Sequence, residues 1–375
     1  ELVADNNTKS GSTAALYTAV YSAPDNKTYA GLPAGSTVKD SRGEAVEITD
    51  SYAWKTENKL TLKTTEEVAE TGNVKFATVA EAIAAAKDGD TVTLLKDTTV
   101  SSTSIAADKN VTIDLAGYTI TSSCTTFDVY GTLTVKDSSA EQTGVIDSGD
   151  RGVYLNRGSS KFTLQSGTLK VGDRPIMMES GSTLCVTGGT IQGMFDATNS
   201  YLIQTNDATI EMSGGTITGK TGDIIYAEGA SKVTVSGGKI ESASESANYE
   251  VINAKDSTVV EVSNCEIVSE HVYGITLDGS SKLTVNDGAK FKNDSTAVYV
   301  RGGVAYINGG VFENVNSDHS WLLNCLDEAY KAGTAKIEVT GGTFHGFDPS
   351  ANPEGEGTSY VKTGYASTQN EDGSY

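Results

Sequence analysis

The sequence predicts an all-β fold, a right-handed parallel β-helix, and three observations carry that prediction. Eight times between Phe162 and Phe344 the chain repeats an apolar-x-apolar strand, a Gly- or Asn-containing corner and a further apolar residue. The phrase reads FTLQSGTL from Phe162, LCVTGGTI from Leu184, IEMSGGTI from Ile210, VTVSGGKI from Val233, VEVSNCEI from Val260, LTVNDGAKF from Leu283, AYINGGVF from Ala305 and IEVTGGTF from Ile337. Its first residues lie 22, 26, 23, 27, 23, 22 and 32 positions apart, so a fixed core alternates with spacers of variable length, as in a solenoid whose insertions sit in loops. Each full repeat also holds a second apolar strand before the next phrase: GVYL at 152, PIMM at 175, YLIQ at 201, DIIY at 223, YEVI at 249, YGITL at 273, AVYV at 297 and WLL at 321. Finally, inward positions such as Leu184/Val186, Ile210/Met212 and Val233/Val235 are apolar. Their outward neighbours (Cys185, Glu211, Thr234, Glu261, Thr284, Glu338) are mostly polar, the two-residue period of a half-buried strand.

The competing architectures fail on the same residues. An α-solenoid needs a recurrent 3.6-residue pattern, and Gly and Thr saturate these repeats instead. A β-sandwich needs hairpin signals and gives no reason for a period near 22 residues. Leucine-rich repeats need an Asn ladder and a Leu spacing that this chain lacks.

Residues 1–75 lack the phrase. Alternating, Tyr-rich stretches (LYTAVYS from Leu16, EITDSYAW from Glu47) and turn signals at Pro24-Asp25-Asn26 and Leu32-Pro33-Ala34-Gly35 predict a small β-rich N-terminal module. Residues 76–346 form the β-helix, and they open with the one strong helical signal, TVAEAIAAAK over 78–87. There Val79, Ala82, Ile83 and Ala86 share a face, Thr78 is the predicted N-cap and Glu81 stands at the capping-box position. Placed just before the first winding, this helix covers the open apolar end of the stack, a cap that solenoids require. Coils then follow from Thr91, with VTLL at Val92, VTIDLAGYTI at Val111 and LTVKDSS at Leu133 as less regular versions of the phrase. The phrases total about eleven, which at about 4.8 Å per step predicts a rod roughly 50 Å long. The Gly pairs 188/189, 214/215, 237/238, 309/310 and 341/342 supply corner conformations that other residues adopt only under strain. Residues 347–375 form a C-terminal cap or extension, with Phe347, Tyr360, Val361 and Tyr365 expected to pack near the last coil.

Composition bounds the function. A net charge of −21 repels phosphate backbones and excludes a nucleic-acid role, while suiting a soluble protein displayed outside a cell. The four cysteines, at 124, 185, 265 and 325, form no CxxC pair. Cys185 and Cys265 lie three units apart, roughly 14 Å, too far for a disulfide, so free, largely buried thiols are expected. No apolar run approaches the roughly 20 residues that a spanning helix needs. The start at Glu1 without Met is what either a processed secreted protein or a trimmed chain shows, and the stop at Tyr375 falls in what reads as mid-strand, where a longer chain would continue.

FATVAEAIAAAKDGDTVTLLKD, the repeated VTVSGGKI-like coils and GGTFHGFDPSANPEGEGTSYVKTGY together resemble pectate-lyase-like parallel β-helix proteins over residues 76–365. The resemblance implies secretion or display on a bacterial cell surface, or a place in a phage virion fibre. Its members include adhesin-like, structural and polysaccharide-processing proteins, so it does not by itself assign an activity.

Two candidate sites follow. Asp150 with Arg151, and Asp173 with Arg174, stand 23 residues apart and so fall on neighbouring coils. They are the nearest match to the carboxylates and basic residue of a β-helix lyase, and equally a ladder of salt-linked corner residues. Asp147 lies beside them. No NTD, DD, GHG or RIK set of the polygalacturonase type is present, His271, His319 and His345 are scattered, and neither a metal nor a cofactor is expected. The second candidate is a binding stripe. Aligning the second strands puts Tyr154, Met177, Ile203, Tyr226, Thr276 and Tyr299 in one outward column, and an apolar and aromatic column on an outer face marks a surface that meets something. Cover by the chain's own termini, by a second copy or another surface protein, or by a glycan stacking on the tyrosines are the occupants weighed. The function expected is that of a non-catalytic extracellular protein presenting a rigid acidic surface for adhesion or assembly. The alternatives are a virion fibre or decoration protein binding host glycans, and a polysaccharide lyase or glycoside hydrolase.

Overall fold

A computed structural model describes residues 51–54, 60–63, 67–194, 201–220, 222–244, 249–269, 271–315, 321–351, 354–355 and 357–375. The chain is all-β, 49% strand and 4% helix, and forms a β-solenoid of about nine turns built from parallel sheets. Eleven phrases yield about nine turns because the outermost phrases close no full circuit. The strand Thr91–Leu94 pairs on one side with an antiparallel hairpin, and beyond the last winding the described residues add the bridge Val339–Val361 and the paired backbone bonds of Phe344 with Tyr375. At about 4.8 Å per rung the rod is nearer 40 Å than 50 Å long.

Each winding has three faces. The phrase forms the first, the strand after its corner forms the second, and these two belong to one 22-stranded sheet. The second apolar strand of each repeat forms the third face, a separate sheet of ten strands running from Thr103–Ile105 to Leu323–Cys325. Register is kept rung after rung. Leu169, Ile191, Ile217, Ile240, Ile267, Phe291, Phe312 and Phe344 lie directly above one another on the second face. All are buried, and the last three rings stack at 4.7 and 4.8 Å with 9° between planes. Residues of like size can stack this way because one winding advances by one strand spacing, which is also the distance at which offset aromatic rings attract.

Two corner devices set the shape. Between the first and second faces, Gly189, Gly215 and Gly238 adopt φ of 70°, 78° and 82°, and a Cβ on Gly215 would lie 2.6 Å from the carbonyl oxygen of Gly189 one winding below. Glycine is thus required twice over, for its backbone angle and for close approach. Between the third face and the next phrase, buried Ser160, Ser182, Ser231 and Ser281 donate hydroxyl hydrogen bonds to the carbonyls of Arg157, Glu179, Glu228 and Asp278 at 2.6 to 2.7 Å. These local side-chain-to-backbone bonds fasten the corner in addition to the backbone bonds that the serine carbonyls accept from the next winding.

The N-terminal cap forms as its sequence predicts. A helix spans Val79–Ala85, Thr78 Oγ1 accepts from the Glu81 amide at 3.1 Å, and Val79, Ala82 and Ile83 are buried against the stack. Lys109 reaches back to donate to the carbonyls of Ala84 and Ala86, which satisfies the helix C-terminus. The cap begins earlier than residue 76. The strands Ala69–Thr71 and Val74–Phe76 form an antiparallel hairpin on it, turning at Gly72 and Asn73 with φ of 55° and 64°. Of the module expected before it, only the antiparallel pair Ser51–Trp54 and Leu60–Lys63 is described. The 32-residue spacing before Ile337 accommodates a second helix, Asp327–Ala332, closed by Gly333 in the left-handed region. At the far end Phe347 and Tyr360 are buried and Val361 makes its bridge, whereas Tyr365 is 57% exposed. The expectation that Tyr365 packs on the last coil is therefore corrected: the turn Lys362–Tyr365 carries its ring outward. All four cysteines are free thiols, Cys124 half-buried and the others buried.

Candidate functional site

The ten-stranded sheet differs in chemistry from the other two faces. Four of the five arginines, Arg151, Arg157, Arg174 and Arg301, sit within two residues of its strands, as do Tyr130, Tyr154, Tyr201, Tyr226, Tyr249, Tyr273 and Tyr299. None of its ten strands carries a lysine, while the 22-stranded sheet carries Lys75, Lys136, Lys161, Lys170, Lys232, Lys239, Lys282, Lys290, Lys292 and Lys336. Three cation–π contacts lie on the same side: Arg151 over Tyr154 at 5.4 Å, Arg157 over Tyr130 at 5.7 Å and Lys255 over Tyr226 at 5.4 Å.

The outward column of this sheet holds Tyr154, Met177, Tyr226, Thr276 and Tyr299, as expected from sequence, but not Ile203. The register pairs Met177 with Gln204 and Gln204 with Tyr226, and Ile203 pairs with Ile176 and Ile225 in the core, where it is fully buried. In YLIQ two apolar residues adjoin, and the inward one of the aligned pair was Ile203. The column is completed by Asn253 between Tyr226 and Thr276. Its aromatic members are half-buried and engage their neighbours. Tyr154 donates to Glu179 at 2.6 Å, and this bond, with burial, pushes its phenol up to about 12. Tyr201 and Tyr226 stack at 4.1 Å, and Tyr273 lies 5.2 Å from Tyr299.

The charged corner is where the sequence places it, with one member locked. Arg174 Nε and Nη2 each lie 2.5 Å from the Asp150 carboxylate of the winding below, and Thr125 donates to the same group at 3.1 Å. Burial pushes the Asp150 carboxyl up, but the Arg174 and Thr125 hydrogen bonds outweigh it and hold the group below its ordinary value. Asp173 is exposed and Arg151 half-buried over Tyr154. A bidentate, hydrogen-bonded Arg–Asp pair is a structural clasp and leaves Arg174 no free electron pair with which to act as a base.

The site that sequence reasoning missed lies further along the same sheet. A concavity of about 220 Å³ is lined by Tyr201, Asp223, Tyr226, Tyr249, Glu250, Asn253, Lys255 and Arg301. Asp223 and Glu250 occupy equivalent positions on neighbouring rungs and are 3% and 4% exposed. Asp223 Oδ1 accepts from the Glu250 amide at 2.9 Å, and Asn253 Nδ2 donates to both carboxyls, at 2.9 Å to Asp223 and 3.3 Å to Glu250. Arg301 approaches Glu250 at 3.4 Å and Asp278 at 3.6 Å. Burial first, then the adjacent Asp223 charge, push the Glu250 carboxyl up to about 8, against the pull of Arg301. Near neutral pH Glu250 thus holds a proton beside an acidic neighbour. The signal was in the sequence as an acidic residue at the start of successive third-face strands, DIIY and EVIN, a place where solvated flanking charges are common.

Among the described residues no group of three or more His, Cys, Asp or Glu is arranged to hold a metal ion, and no helix is long and apolar enough to cross a membrane. His271 pairs with Asp294 at 3.0 Å, His345 lies on the last second-face strand, and His319 is outside the described residues. Comparison with protein-family models, with curated proteins and with solved structures finds no match to this chain.

Proposed function

We propose that this protein is a non-catalytic extracellular adhesive scaffold, a rigid acidic rod whose ten-stranded face docks saccharide. The observation that carries the reading is the clustering of tyrosine and arginine along that face, whose strands hold no lysine and whose margin holds Lys255. Tyr and Arg are enriched and Lys depleted at protein–protein interfaces, and a tyrosine ring offers a sugar an apolar face with a polar edge. The parallel stack supports the scaffold role, since each rung is tied to the next by a full ladder of hydrogen bonds and side chains in register. Secretion or surface display, on a bacterium or a virion, agrees with the acidic composition and with the resemblance to surface-displayed β-helix proteins.

The test is retention of the protein on immobilised neutral, carboxylated and amine-bearing polysaccharides (dextran, polygalacturonate and chitosan). At least one is expected to retain it, and the double variant Tyr226→Ser/Tyr299→Ser is expected to lose that retention while keeping its melting temperature within a few degrees. No retention on any of the three, or retention untouched by the double variant, contradicts the proposal. New reducing or unsaturated ends released from these polysaccharides would favour the lyase or hydrolase reading instead.

A further inference from the structure

The concavity between Tyr201 and Arg301 brings two carboxyls and an amide together with two cations, Lys255 and Arg301. Asp223 and Glu250 contribute carboxyls, Tyr201 and Tyr226 contribute ring edges and faces, and Asn253 contributes an amide oxygen. That Asn253 Oδ1 is buried, on a side chain 5% exposed, and has no hydrogen-bond partner among the described residues. Its Nδ2 is committed to both carboxyls, which turns the oxygen to the remaining side. A buried acceptor left unpaired costs about 1–3 kcal/mol, so a donor is expected at this oxygen; Thr276 Oγ1 on the next rung and Arg301 Nε at the same concavity are likewise buried with no hydrogen-bond partner among the described residues.

The positive charge nearby does not satisfy the set. Lys255 lies over the Tyr226 ring, and Arg301 is divided between Glu250 and Asp278. Against these two cations stand Asp223, Glu250 and Asp278. The groups facing Glu250 are Asp223 and Tyr201 from the winding below, Tyr249, Asn253 and Lys255 on its own, and Tyr273, Thr276 and Arg301 from those above. With no further cation at hand, the carboxyl pair neutralises itself by holding a proton on Glu250.

We propose that this concavity binds the ammonium group of an amino sugar, with Asp223, Glu250 and Asn253 Oδ1 accepting its hydrogen bonds and Tyr201 bordering the sugar ring. The proposal rests on the saccharide-docking reading and names the sugar class for this one site. A volume of about 220 Å³ suits roughly one sugar residue, since a water takes about 30 Å³. On binding, the ammonium replaces the proton on Glu250: the ligand enters as R–NH3+, the Glu250 carboxyl ionises, and its proton passes to solvent.

The test is titration calorimetry of the intact chain with β-1,4-linked tri-glucosamine and with its fully N-acetylated counterpart, at pH 6 and 0.15 M salt. That pH lies below the roughly 7.7 to 8 at which a peptide α-amino group loses its proton, the reference amine nearest in kind. The free-amine trimer is expected to bind at least about tenfold more tightly, and heats in buffers of different ionisation enthalpy to show release of up to one proton per site. Glu250→Gln and Asp223→Asn are each expected to weaken binding by about tenfold or more, whereas Glu313→Gln, which removes a carboxylate from another face, leaves it unchanged. Proton release is read on the unaltered protein and so stands even if a variant fails to fold. Equal affinity for the two trimers, no proton release, or equal binding of acetyl-lysine amide overturns the proposal. If the acetylated trimer or dextran binds and Tyr226→Ser/Tyr299→Ser abolishes it, the docking face stands and the amino-sugar assignment falls. Binding of no saccharide removes both.

Discussion

Glu250 concentrates the chemistry of this chain in one residue. In the unfolded chain its carboxyl has the ordinary value of 4.5, and in the fold burial and Asp223 push it up to about 8. Between those values the folded protein binds more protons than the unfolded one, so stability falls as pH rises through that window and then levels off. Glu250→Gln removes the titration and keeps an uncharged side chain of the same shape. The variant is expected to match the native protein near pH 4.5 and to exceed it at pH 8 by on the order of 2 kcal/mol. Thermal melts of both proteins from pH 4.5 to 9 check this, and parallel curves would contradict it. The residue was not legible in the sequence as a site, because an acidic residue at a strand start reads as a solvated flank. Only the register, which sets Glu250 beside Asp223 and under Arg301, reveals two buried carboxyls. Ile203 fails in the opposite sense: its neighbour Gln204 occupies the outward place, and two adjacent apolar letters concealed which one faced in.

At the scale of the element, the corners matter more than the strands. Strand positions repeat an alternation that many residues satisfy, but Gly215 combines φ of 78° with a Cβ position 2.6 Å from a carbonyl oxygen. Gly215→Ala is expected to cost roughly 3 kcal/mol or more, the left-handed penalty of about 1–2 kcal/mol plus a backbone shift in the winding below. Gly346→Ala, at φ 74° with open space around it, should cost only the first part. Urea denaturation of the two variants separates these contributions, and equal losses would show that close approach is not what the corner glycine provides. In the second-face ladder, Phe312 lies between Phe291 and Phe344, so Phe312→Ala is expected to destabilise by about 3–5 kcal/mol. These elements were readable because the phrase, the Gly pairs and the capping helix each follow a local rule. The serine corner before each phrase was not read, since RGSS, EGAS and DGSS look like ordinary loop sequence until the hydroxyls are seen to bond three residues back.

For the whole molecule, stacking turns a repeated sequence into three long faces of different chemistry. Two are covered by mixed Lys, Glu and Thr, a solvated surface, while the third gathers Arg and Tyr around a concavity. Sequence periodicity gives the rod because one winding is one repeat, but it counts phrases rather than closed circuits, which is why the stack is shorter than eleven coils. The face was only partly legible, since the arginines and tyrosines lie at different offsets from the phrase and converge only when the windings close. The most direct test of the docking face is hydroxyl-radical footprinting of the tyrosines, with and without a saturating polysaccharide that retains the protein. Protection of Tyr154, Tyr226 and Tyr299 is expected, with Tyr118 and Tyr306, each 37% exposed on other faces, oxidised as before. Protection of Tyr118 or Tyr306 while the ten-stranded face stays reactive would contradict it.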